Sequence, residues 1–292
     1  MIINGREIAV HLSENLKQRI DTLKQKNIFP RLAVMLVGHD RPSEKYVRQK
    51  VKLGEKLGVE VTVAMLDDSA NPEELISQIN GWNANSSVHG IIIQRPVHLA
   101  IESNKLDKLV APGKDVDGFH PQSLFDPPVV LAVIEILKSV FNNSKKNKNS
   151  NFFEWLNYKK ILVIGRGETA GKPIAKYLTK NKIQFTVAHS STENLKSATL
   201  SADIIISAVG KPNIVRHEMI PNKTILIGVG LHPENDRLET DYIQEEIADK
   251  ALFYTPVPGG VGPVNVAMLM TNVVIAAELQ TASDLVHENN PE

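Results

Sequence analysis

The chain has 292 residues, a length that favours two domains over one, and its hydrophobic fraction of 42% is enough for a full core. Basic and acidic residues number 33 each, so no excess of positive charge indicates a nucleic-acid or membrane partner. The absence of cysteine excludes disulfides, thiolate metal ligands and a cysteine nucleophile. Since the sequence does not open on a signal-like segment and no uninterrupted apolar run reaches about 18 residues, we expect a soluble, cytoplasmic protein.

Short apolar runs alternate with helical patterns along the chain. The predicted strands are 31–37, 59–65, 90–94, 160–165, 183–188, 203–210 and 224–230. The predicted helices between and after them are 46–58, 72–82, 131–141, 172–180 and 265–280. Alternation of this kind is typical of βαβ units, with parallel sheets covered by helices on both faces.

Two segments bear on domain organisation. The polar, Lys/Asn-rich run 141–151 predicts either a linker between domains or a surface loop within one domain. The apolar helix 265–280 has no strand after it, so we expect it to pack back on the first half of the chain.

The helix that begins near Tyr46 carries a lysine where an apolar residue is expected. At about 100° per residue its charged side chains collect on one side, while Lys50 falls on the apolar side, one turn after Tyr46. An ammonium group there is costly unless it is paired or loses its proton, and burial lowers the pKa of a lysine. Lys50 is therefore a candidate for proton transfer.

A glycine-rich turn, GRGETAG at 165–171, follows one predicted strand and precedes a helix. Such a turn either holds the phosphates of a dinucleotide or is a plain tight turn. The next strand ends in AHSST at 188–192, which has no carboxylate for a ribose hydroxyl. Ser190, Ser191, Thr192 and Arg166 could accept an extra phosphate instead, so the sequence favours NADP, with NAD as the alternative.

Three further segments are candidates for a site. Gln94 ends a buried strand and is expected to point into the crevice at the carboxyl edge of the sheet, unless it is a simple polar end residue. The loop 113–121, GKDVDGFHP, has two aspartates that either shape a turn or bind a ligand; further metal ligands at fixed spacing are missing, so we predict no metal site. The segment 254–269 contains two Pro-Gly clusters that form either a rigid binding loop or a stiff linker.

The motifs in their order resemble one family. They are Y-V-x-x-K after Ser43, then Q-x-P, KDVDGFHP, G-R-x-x-x-x-G-K-P, AVGKP and TPVPGGVGP. The family is that of the bifunctional methylenetetrahydrofolate dehydrogenases/methenyltetrahydrofolate cyclohydrolases of one-carbon metabolism, and the resemblance runs from Ile3 to the last helix. It implies NADP-dependent oxidation of 5,10-methylenetetrahydrofolate and hydrolysis of the methenyl product to 10-formyltetrahydrofolate.

The resemblance also implies an architecture of the α/β class. A folate-binding domain would comprise 1–130 with 268–292 and be completed by the C-terminal helix. A Rossmann-like, doubly wound NAD(P)-binding domain would comprise 131–267, folate would bind in the cleft, and two copies would join through the Rossmann-like domains.

Roles carry over by matching motifs. Lys50 is then the catalytic lysine, Gln94 tunes it, Tyr46 stacks on the folate ring, and Asp117 binds the amino-pyrimidine edge. Further substrate-binding residues implied by the resemblance are Ser43, Pro258, Gly259 and Gly260. The cofactor-binding residues implied are Gly165, Arg166, Gly167, Gly171, His189, Ser190, Ser191, Val209 and Gly210.

Several positions depart from the family pattern. They are Arg95, Val129, Gly167, Ser191 in place of a basic residue, Gly228 in place of an aspartate, Asn265, and a loop at 121–127 that is several residues short. Most of these changes belong to the cofactor side, so a cyclohydrolase with weakened or absent dehydrogenase activity is the second hypothesis. A catalytically silent folate- or nucleotide-binding module is the third, although simple binding gives no reason for Lys50.

Overall fold

The computed structural model describes residues 1–144, 151–234 and 237–288, with side chains described as far as residue 281. The chain divides into two compact α/β units. The lysine unit comprises His11–Pro128 and Val266–Glu292, and the glycine-loop unit comprises Met1–Val10 and Val129–Asn265.

Residues 1–10 lie in the glycine-loop unit, whereas the family resemblance implied a place for them in the folate-binding domain. Backbone hydrogen bonds account for this difference. The amide of Ile3 donates to the carbonyl of Tyr254 at 2.8 Å, and the amide of Tyr254 donates to the carbonyl of Met1 at 3.1 Å. The start of the chain thus extends the sheet of that unit by one isolated bridge, between Ile2 and Tyr254.

The lysine unit is built on a three-stranded parallel sheet. Its strands are β1 (Arg31–Val37), β2 (Glu60–Leu66) and β3 (Gly90–Ile93), in the order β2-β1-β3. Its helices are α1 (Gly5–Gln25, from His11 onwards), α2 (Arg41–Leu57), α3 (Pro72–Ala84), α4 (Ser103–Leu106) and α10 (Val261–Glu288, from Val266). All three strands were predicted, and the parallel pairing confirms the expected βαβ arrangement.

Side chains alternate between two cores on opposite faces of this sheet. Leu32, Val34 and Ile92 pack with apolar residues of α1, α2 and α10. Met35 and Ile91 point to the other face and pack with residues of α3. Because successive side chains of a strand point to opposite faces, a strand covered on both sides must be apolar throughout.

Helix α10 packs against the first third of the chain, as predicted. Its residues Met270 and Val273 share a core with Leu16 and Ile20 of α1. By length and composition Val261–Thr281 could cross a membrane, but 67% of its apolar window is buried inside the protein, which is typical of a core helix.

The glycine-loop unit contains a five-stranded parallel sheet in the order β10-β7-β6-β4-β5. Its strands are β4 (Ile161–Ile164), β5 (Phe185–Ala188), β6 (Ile204–Ser207), β7 (Thr224–Gly228) and β10 (Ala251–Tyr254), with an antiparallel hairpin of β8 (Leu231–Glu234) and β9 (Arg237–Thr240). Its helices are α5 (Pro128–Asn143), α6 (Phe152–Asn157), α7 (Gly171–Lys180), α8 (Leu195–Leu200), α9 (Gln244–Ile247) and one 3-10 turn at His217–Met219.

The strand order makes this sheet doubly wound. From β4 the chain goes to β5 on one side and then to β6 on the other, so the order reverses beside β4. In open sheets of this kind the carboxyl ends of the strands at such a reversal form the ligand-binding crevice. The predicted Rossmann-like arrangement is therefore present. The hairpin and β10 were not predicted.

The polar run at 141–151 was predicted to be a loop or linker. Its first residues, 141–143, instead complete helix α5, and residues 145–150 lie outside the described residues. Helix α6 follows directly, and its Trp155 lies 5.6 Å from Phe141 between ring centroids. This aromatic contact anchors α6 to the end of α5, a contact that the local polarity of the run could not reveal.

Candidate active site

Helix α2 places Lys50 on its buried face. Asp40 caps the helix by accepting a hydrogen bond from the amide of Ser43 at 2.9 Å, and Gly58 ends it in the left-handed conformation with φ 84°. The buried residues of the helix are Ser43, Val47, Lys50, Gly54 and Leu57, which recur at helical spacing. Lys50 is only 8% exposed, so its predicted place on the apolar side is confirmed.

Gln94 holds the buried amine. Lys50 Nζ donates to Gln94 Oε1 at 2.8 Å. Gln94 follows the carboxyl end of β3, and its amide donates to the carbonyl of Met35 at 2.8 Å. Its side-chain nitrogen donates to the carbonyl of Arg95 at 2.9 Å. With both ends of its side-chain amide engaged, Gln94 presents its oxygen to Lys50 in a fixed orientation.

Asp117 is the charged neighbour of Lys50. Burial lowers the pKa of Lys50, and the negative charge of Asp117 opposes this effect. Burial likewise raises the pKa of Asp117, and the positive charges of Lys50 and Arg95 oppose that rise. Burial thus favours the uncharged form of both side chains, which suits proton exchange. Tyr46 lies one turn before Lys50, and burial raises the pKa of its phenol.

The other charged residues of the loop 113–121 have structural contacts. Lys114 Nζ donates to the carbonyls of Trp82, Asn83 and Asn85, at 3.1, 2.9 and 2.7 Å, and so caps the end of α3. Asp115 is 3% exposed and accepts a hydrogen bond from the amide of His120 at 2.7 Å. Burial raises the pKa of Asp115 to about 6, against the effect of that bond. The first aspartate therefore shapes the loop.

Arg95, which departs from the family pattern, is held in place by two side chains. Its guanidinium forms an ion pair with Asp107 and lies over the ring of Phe119, 4.1 Å from the centroid. Its backbone carbonyl accepts from Ser43 Oγ at 3.4 Å, a long hydrogen bond, as well as from Gln94. The lysine unit therefore brings together the predicted residues Ser43, Tyr46, Lys50, Gln94 and Asp117, with Arg95 beside them.

In the glycine-loop unit, the predicted glycines adjoin the carboxyl ends of β4 and β6. A Cβ atom on Gly165, where φ is 106°, would lie 2.4 Å from the carbonyl oxygen of Ala208, and one on Gly171 would lie 2.3 Å from that of Gly165. Both positions therefore require glycine. At Gly167 a Cβ atom would meet nothing within 4 Å, so the backbone there is accessible. Helix α7 begins at Gly171, which turns its positive end toward this loop.

The predicted phosphate contacts follow the neighbouring strand, β5. The amide of His189 donates to Thr192 Oγ1 at 2.9 Å, and the amide of Ser191 donates to His189 Nδ1 at 3.2 Å. Ser190 and Ser191 are exposed on this turn, as is Arg166 after β4. These residues fit a dinucleotide with an additional phosphate, because an open glycine loop adjoins exposed hydroxyl and guanidinium groups at one sheet edge.

The segment 258–260, expected at the folate, also belongs to the glycine-loop unit. The side chain of Gln244 bonds both the carbonyl and the amide of Val257, at 2.9 and 3.1 Å, just before it. A Cβ atom on Gly5 would lie 1.9 Å from the carbonyl oxygen of Gly260. The loop is therefore held by contacts within this unit, and the folate contacts of Pro258, Gly259 and Gly260 stay predictions.

One departure on the cofactor side has a local explanation. A Cβ atom on Gly228 would lie 2.2 Å from Thr240 Oγ1 and 2.9 Å from the phenolic oxygen of Tyr242. The space that an aspartate would need is thus occupied by those two side chains. Val129 lies in the first turn of α5, and Asn265 in the first turns of α10. Among the described residues, no group of three or more histidine, aspartate or glutamate side chains could hold a metal ion.

Comparison with known proteins decides the family. Residues 3–117 match the tetrahydrofolate dehydrogenase/cyclohydrolase catalytic domain, and residues 150–281 match the NAD(P)-binding domain of the same family. The chain belongs to the tetrahydrofolate dehydrogenase/cyclohydrolase family. The resemblance stated from the motifs is therefore confirmed.

Relatives of this tetrahydrofolate dehydrogenase/cyclohydrolase extend over nearly its whole length. The bifunctional protein FolD of Staphylococcus epidermidis is 35% identical over 289 residues, covering 96% of this chain and 97% of that protein. FolD of Campylobacter concisus is 36% identical over 293 residues, covering 97% and 99%.

Solved structures agree with that assignment. The FolD methylenetetrahydrofolate dehydrogenase/cyclohydrolase of Campylobacter jejuni has a TM-score of 0.86 at 33% identity, covering 96% of this chain and 99% of its own. The dehydrogenase-cyclohydrolase of Trypanosoma brucei, solved with NADP and an inhibitor, has a TM-score of 0.86 at 28% identity, covering 96% and 98%.

Sequence reasoning missed several residues of this enzyme's sites. Asp107, which pairs with Arg95, lies in no motif, and Phe119 belongs to KDVDGFHP, but that motif does not indicate its contact with Arg95. Asp241, which accepts hydrogen bonds from the loop after β6, directly follows in sequence a hairpin that was not predicted. The motif KDVDGFHP gave a signal for a functional loop, but it did not indicate which aspartate shapes the turn and which binds a ligand.

Proposed function

We propose that this chain oxidises 5,10-methylenetetrahydrofolate with NADP and hydrolyses the 5,10-methenyl product to 10-formyltetrahydrofolate. The observation that carries the proposal is the 2.8 Å hydrogen bond from Lys50 Nζ to Gln94 Oε1 on a buried helix face. The structural lysine of the same unit, Lys114, differs because its amine bonds three backbone carbonyls at the end of a helix, whereas the amine of Lys50 is held by a single side-chain oxygen. The family of the chain and the names of its relatives support both activities.

Hydrolysis needs a group that takes and returns a proton. The oxygen of a water molecule bonds to the methenyl carbon, and the neutral amine of Lys50 takes the proton that the water releases. The proton then passes to the ring nitrogen as the bond between that nitrogen and the carbon breaks. The new hydroxyl group releases its own proton to solvent and becomes the carbonyl of the formyl group, which stays on the other nitrogen. One proton is thus released overall, which balances the positive charge of the methenyl substrate. Burial lowers the pKa of Lys50, so a larger fraction of the amine is neutral near pH 7 than in an exposed lysine.

The neighbours of Lys50 suit a folate. The carboxylate of Asp117 can accept hydrogen bonds from the amino group and ring N–H of a pterin edge, and such charge-assisted bonds are strong. The ring of Tyr46 offers an aromatic face one turn before Lys50, and offset stacking on a planar ring is favourable. Gln94 keeps the amine oriented through its two hydrogen bonds. These three residues bind and orient, whereas Lys50 moves the proton.

Oxidation requires a hydride acceptor, and bound NADP supplies that chemistry. The residues of the chain bind and orient the dinucleotide for it. Gly165 and Gly171 allow the turn to pack closely against backbone carbonyls of the unit, and Gly167 leaves the backbone open to the phosphates. Arg166 and Ser190 are placed to contact the additional phosphate that distinguishes NADP from NAD. We therefore expect NADP to be preferred over NAD, and parallel assays with the two cofactors test that preference.

The experiment that tests the function combines two assays on three proteins. Wild-type enzyme should form NADPH from methylenetetrahydrofolate and should speed the loss of methenyltetrahydrofolate absorbance. Lys50→Met should lose hydrolysis by roughly 100-fold or more while still binding folate, because the proton-transfer group is gone. Lys52→Met, a change of the same kind on the exposed side of α2, should retain both activities. Hydrolysis by the Lys50→Met protein at the wild-type rate would refute the proposal.

A second candidate function is cyclohydrolase activity with little dehydrogenase activity. It is favoured by the departures in the glycine-loop unit, where Gly228 and Ser191 replace a carboxylate and a basic residue of the family pattern. Robust NADP-linked turnover by the wild-type enzyme would exclude this candidate. Hydrolysis without reduction of either NADP or NAD would establish it.

We propose further that two copies join through their glycine-loop units. Strand β5 lies at the edge of the five-stranded sheet and leaves Thr186 and Val187 exposed, which offers an unpaired edge and an apolar side chain to a second copy. Analytical ultracentrifugation at micromolar concentration tests this, and a monomer there would contradict it. A cytoplasmic location stays a prediction, which cell fractionation would test.

A further inference from the structure

One buried carboxylate of the glycine-loop unit, Asp241, has no role in the function proposed above. It follows strand β9 and has no solvent-exposed surface. A carboxylate is costly to bury unless hydrogen bonds replace its hydration. The partners of Asp241 therefore show what its burial achieves.

All the side-chain partners of Asp241 lie at the carboxyl end of β6. Its Oδ2 accepts from Ser207 Oγ at 2.5 Å and from the amide of Val209 at 3.0 Å. Its Oδ1 accepts from the amides of Gly210 and Lys211, at 2.7 and 3.0 Å. Three successive backbone N–H groups thus converge on one carboxylate, an arrangement that fixes the backbone of the loop.

The main chain of Asp241 extends the same attachment. Its carbonyl accepts from the amides of Ile214 and Val215, at 2.8 and 3.1 Å. Gly230 leaves the room for the carboxylate, since a Cβ atom there would lie 2.6 Å from Asp241 Oδ2. Through its carboxylate and its carbonyl, this residue therefore bonds two parts of the segment that follows β6, residues 209–211 and residues 214–215.

That segment adjoins the glycine-rich loop. A Cβ atom on Gly165 would lie 2.4 Å from the carbonyl of Ala208 and 3.5 Å from a methyl group of Val209. The strands that precede the two loops, β4 and β6, are neighbours at the reversal of strand order. A displacement of 208–211 would therefore alter one wall of the crevice in which a dinucleotide binds.

We propose that Asp241 is a positioning residue for the dinucleotide, because its carboxylate holds the backbone of Val209, Gly210 and Lys211 in the binding conformation. The proposal rests on the proposed binding of NADP by this unit. Asp241 itself contacts the loop, and the loop contacts the cofactor. Its removal should accordingly weaken dinucleotide binding more than it alters the chemistry at Lys50.

The most informative substitution is Asp241→Asn, which keeps the size of the side chain. An amide has one oxygen and one NH₂ group, so whichever way it is turned, a donor faces at least one backbone N–H donor. If the NH₂ group replaces Oδ1, it opposes the amides of Gly210 and Lys211. If it replaces Oδ2, it opposes the amide of Val209.

We expect Asp241→Asn to raise the Kd for NADPH, followed by fluorescence, and the KM for NADP by roughly tenfold or more. Hydrolysis of methenyltetrahydrofolate, which needs no dinucleotide, should change by less than about threefold. The matched control is Asp203→Asn in the same unit, where the carboxylate accepts from the amide of Lys160 at 2.8 Å before β6. The control should leave the Kd for NADPH unchanged. Equal Kd values for wild-type and Asp241→Asn proteins would overturn the proposal.

A second measurement needs no variant and covers the case in which Asp241→Asn fails to fold. In the wild-type protein without nucleotide, the amide of Lys211 should exchange slowly with solvent, although its residue is exposed, because it is bonded to Asp241. Fast exchange at Val209, Gly210 and Lys211 would show that the loop is not held and would refute the proposal. The Kd for NADPH is also independent of catalysis, so a wild-type enzyme without NADP-linked turnover would count against the proposed function alone.

Discussion

Replacing Gln94 by methionine tests whether the amide oxygen controls the catalytic amine. Methionine keeps the length of the side chain but removes the acceptor that lies 2.8 Å from Lys50 Nζ. It also removes the bond from Nε2 to the carbonyl of Arg95 at 2.9 Å. A hydrogen bond to a charged group contributes about 1.5–3 kcal/mol, so loss of the first bond should lower kcat for hydrolysis roughly 10- to 100-fold.

The pH dependence of the Gln94→Met enzyme gives a second, directional readout. The amide oxygen stabilises the protonated form of Lys50, so its loss should lower the pKa of Lys50 further. If the neutral amine is the reactive form, the rising limb of the kcat–pH profile should move to lower pH than in the wild-type enzyme. Stopped-flow decay of methenyltetrahydrofolate absorbance across a pH series measures both effects.

A matched control separates this effect from general destabilisation. Gln280→Met removes another side-chain amide of the lysine unit, whose Nε2 donates to the carbonyl of His89 at 3.1 Å. It should leave kcat and the pH profile as they are. Wild-type kcat in the Gln94→Met enzyme, or a rising limb displaced to higher pH, would refute the role assigned to Gln94.

Two further predictions concern the charged neighbours of the site. The pKa of Asp115 is about 6 in the folded protein, compared with an ordinary value of 3.8. The stability that protonated Asp115 contributes is therefore complete below pH 3.8 and is lost as the pH rises through about 6. The difference between these two pKa values corresponds to about 3 kcal/mol. In urea denaturation, Asp115→Asn should therefore raise the free energy of unfolding by up to that amount at pH 7 and by little at pH 3.5. A larger gain at pH 3.5 than at pH 7 would contradict this. Arg95→Leu removes the ion pair with Asp107 and the contact with Phe119, which should lower the free energy of unfolding by about 1 kcal/mol. It should also raise the pKa of Asp117 and the KM for folate, and an unchanged KM would show that Arg95 does not act on this aspartate.

Much of the architecture could be read from local patterns. Every strand that the sequence predicted is present, because a buried parallel strand is a continuous apolar run bounded by turn residues. The failures are segments whose conformation depends on contacts with distant residues. The hairpin β8–β9 buries two polar residues, His232 and Thr240, and its sequence shows no clear alternation of apolar and polar residues. Helix α6 is short and follows a polar run, so its packing on Phe141 could not be anticipated.

The candidate site shows the same division. The position of Lys50 on a buried face follows from helical periodicity alone. The need for glycine in the strand-to-helix turn follows from the glycine-rich motif, because such a turn requires backbone conformations and close contacts that other residues do not allow. The motif order then identified the residues around it. No local pattern, however, indicates that Asp115 supports the loop while Asp117 interacts with Lys50, since the two aspartates are separated by a single residue in one motif.

By itself the sequence determined the two α/β units, the buried lysine and the kind of cofactor, since each depends on periodicity or on a short motif. The tertiary structure alone decided which supporting groups meet: Asp115 with the amide of His120, and Asp241 with Gly210, 31 positions apart. The physical reason is that burial removes water from a polar group and obliges it to find another partner. That partner is whichever group the packing of distant strands and helices brings within hydrogen-bond distance.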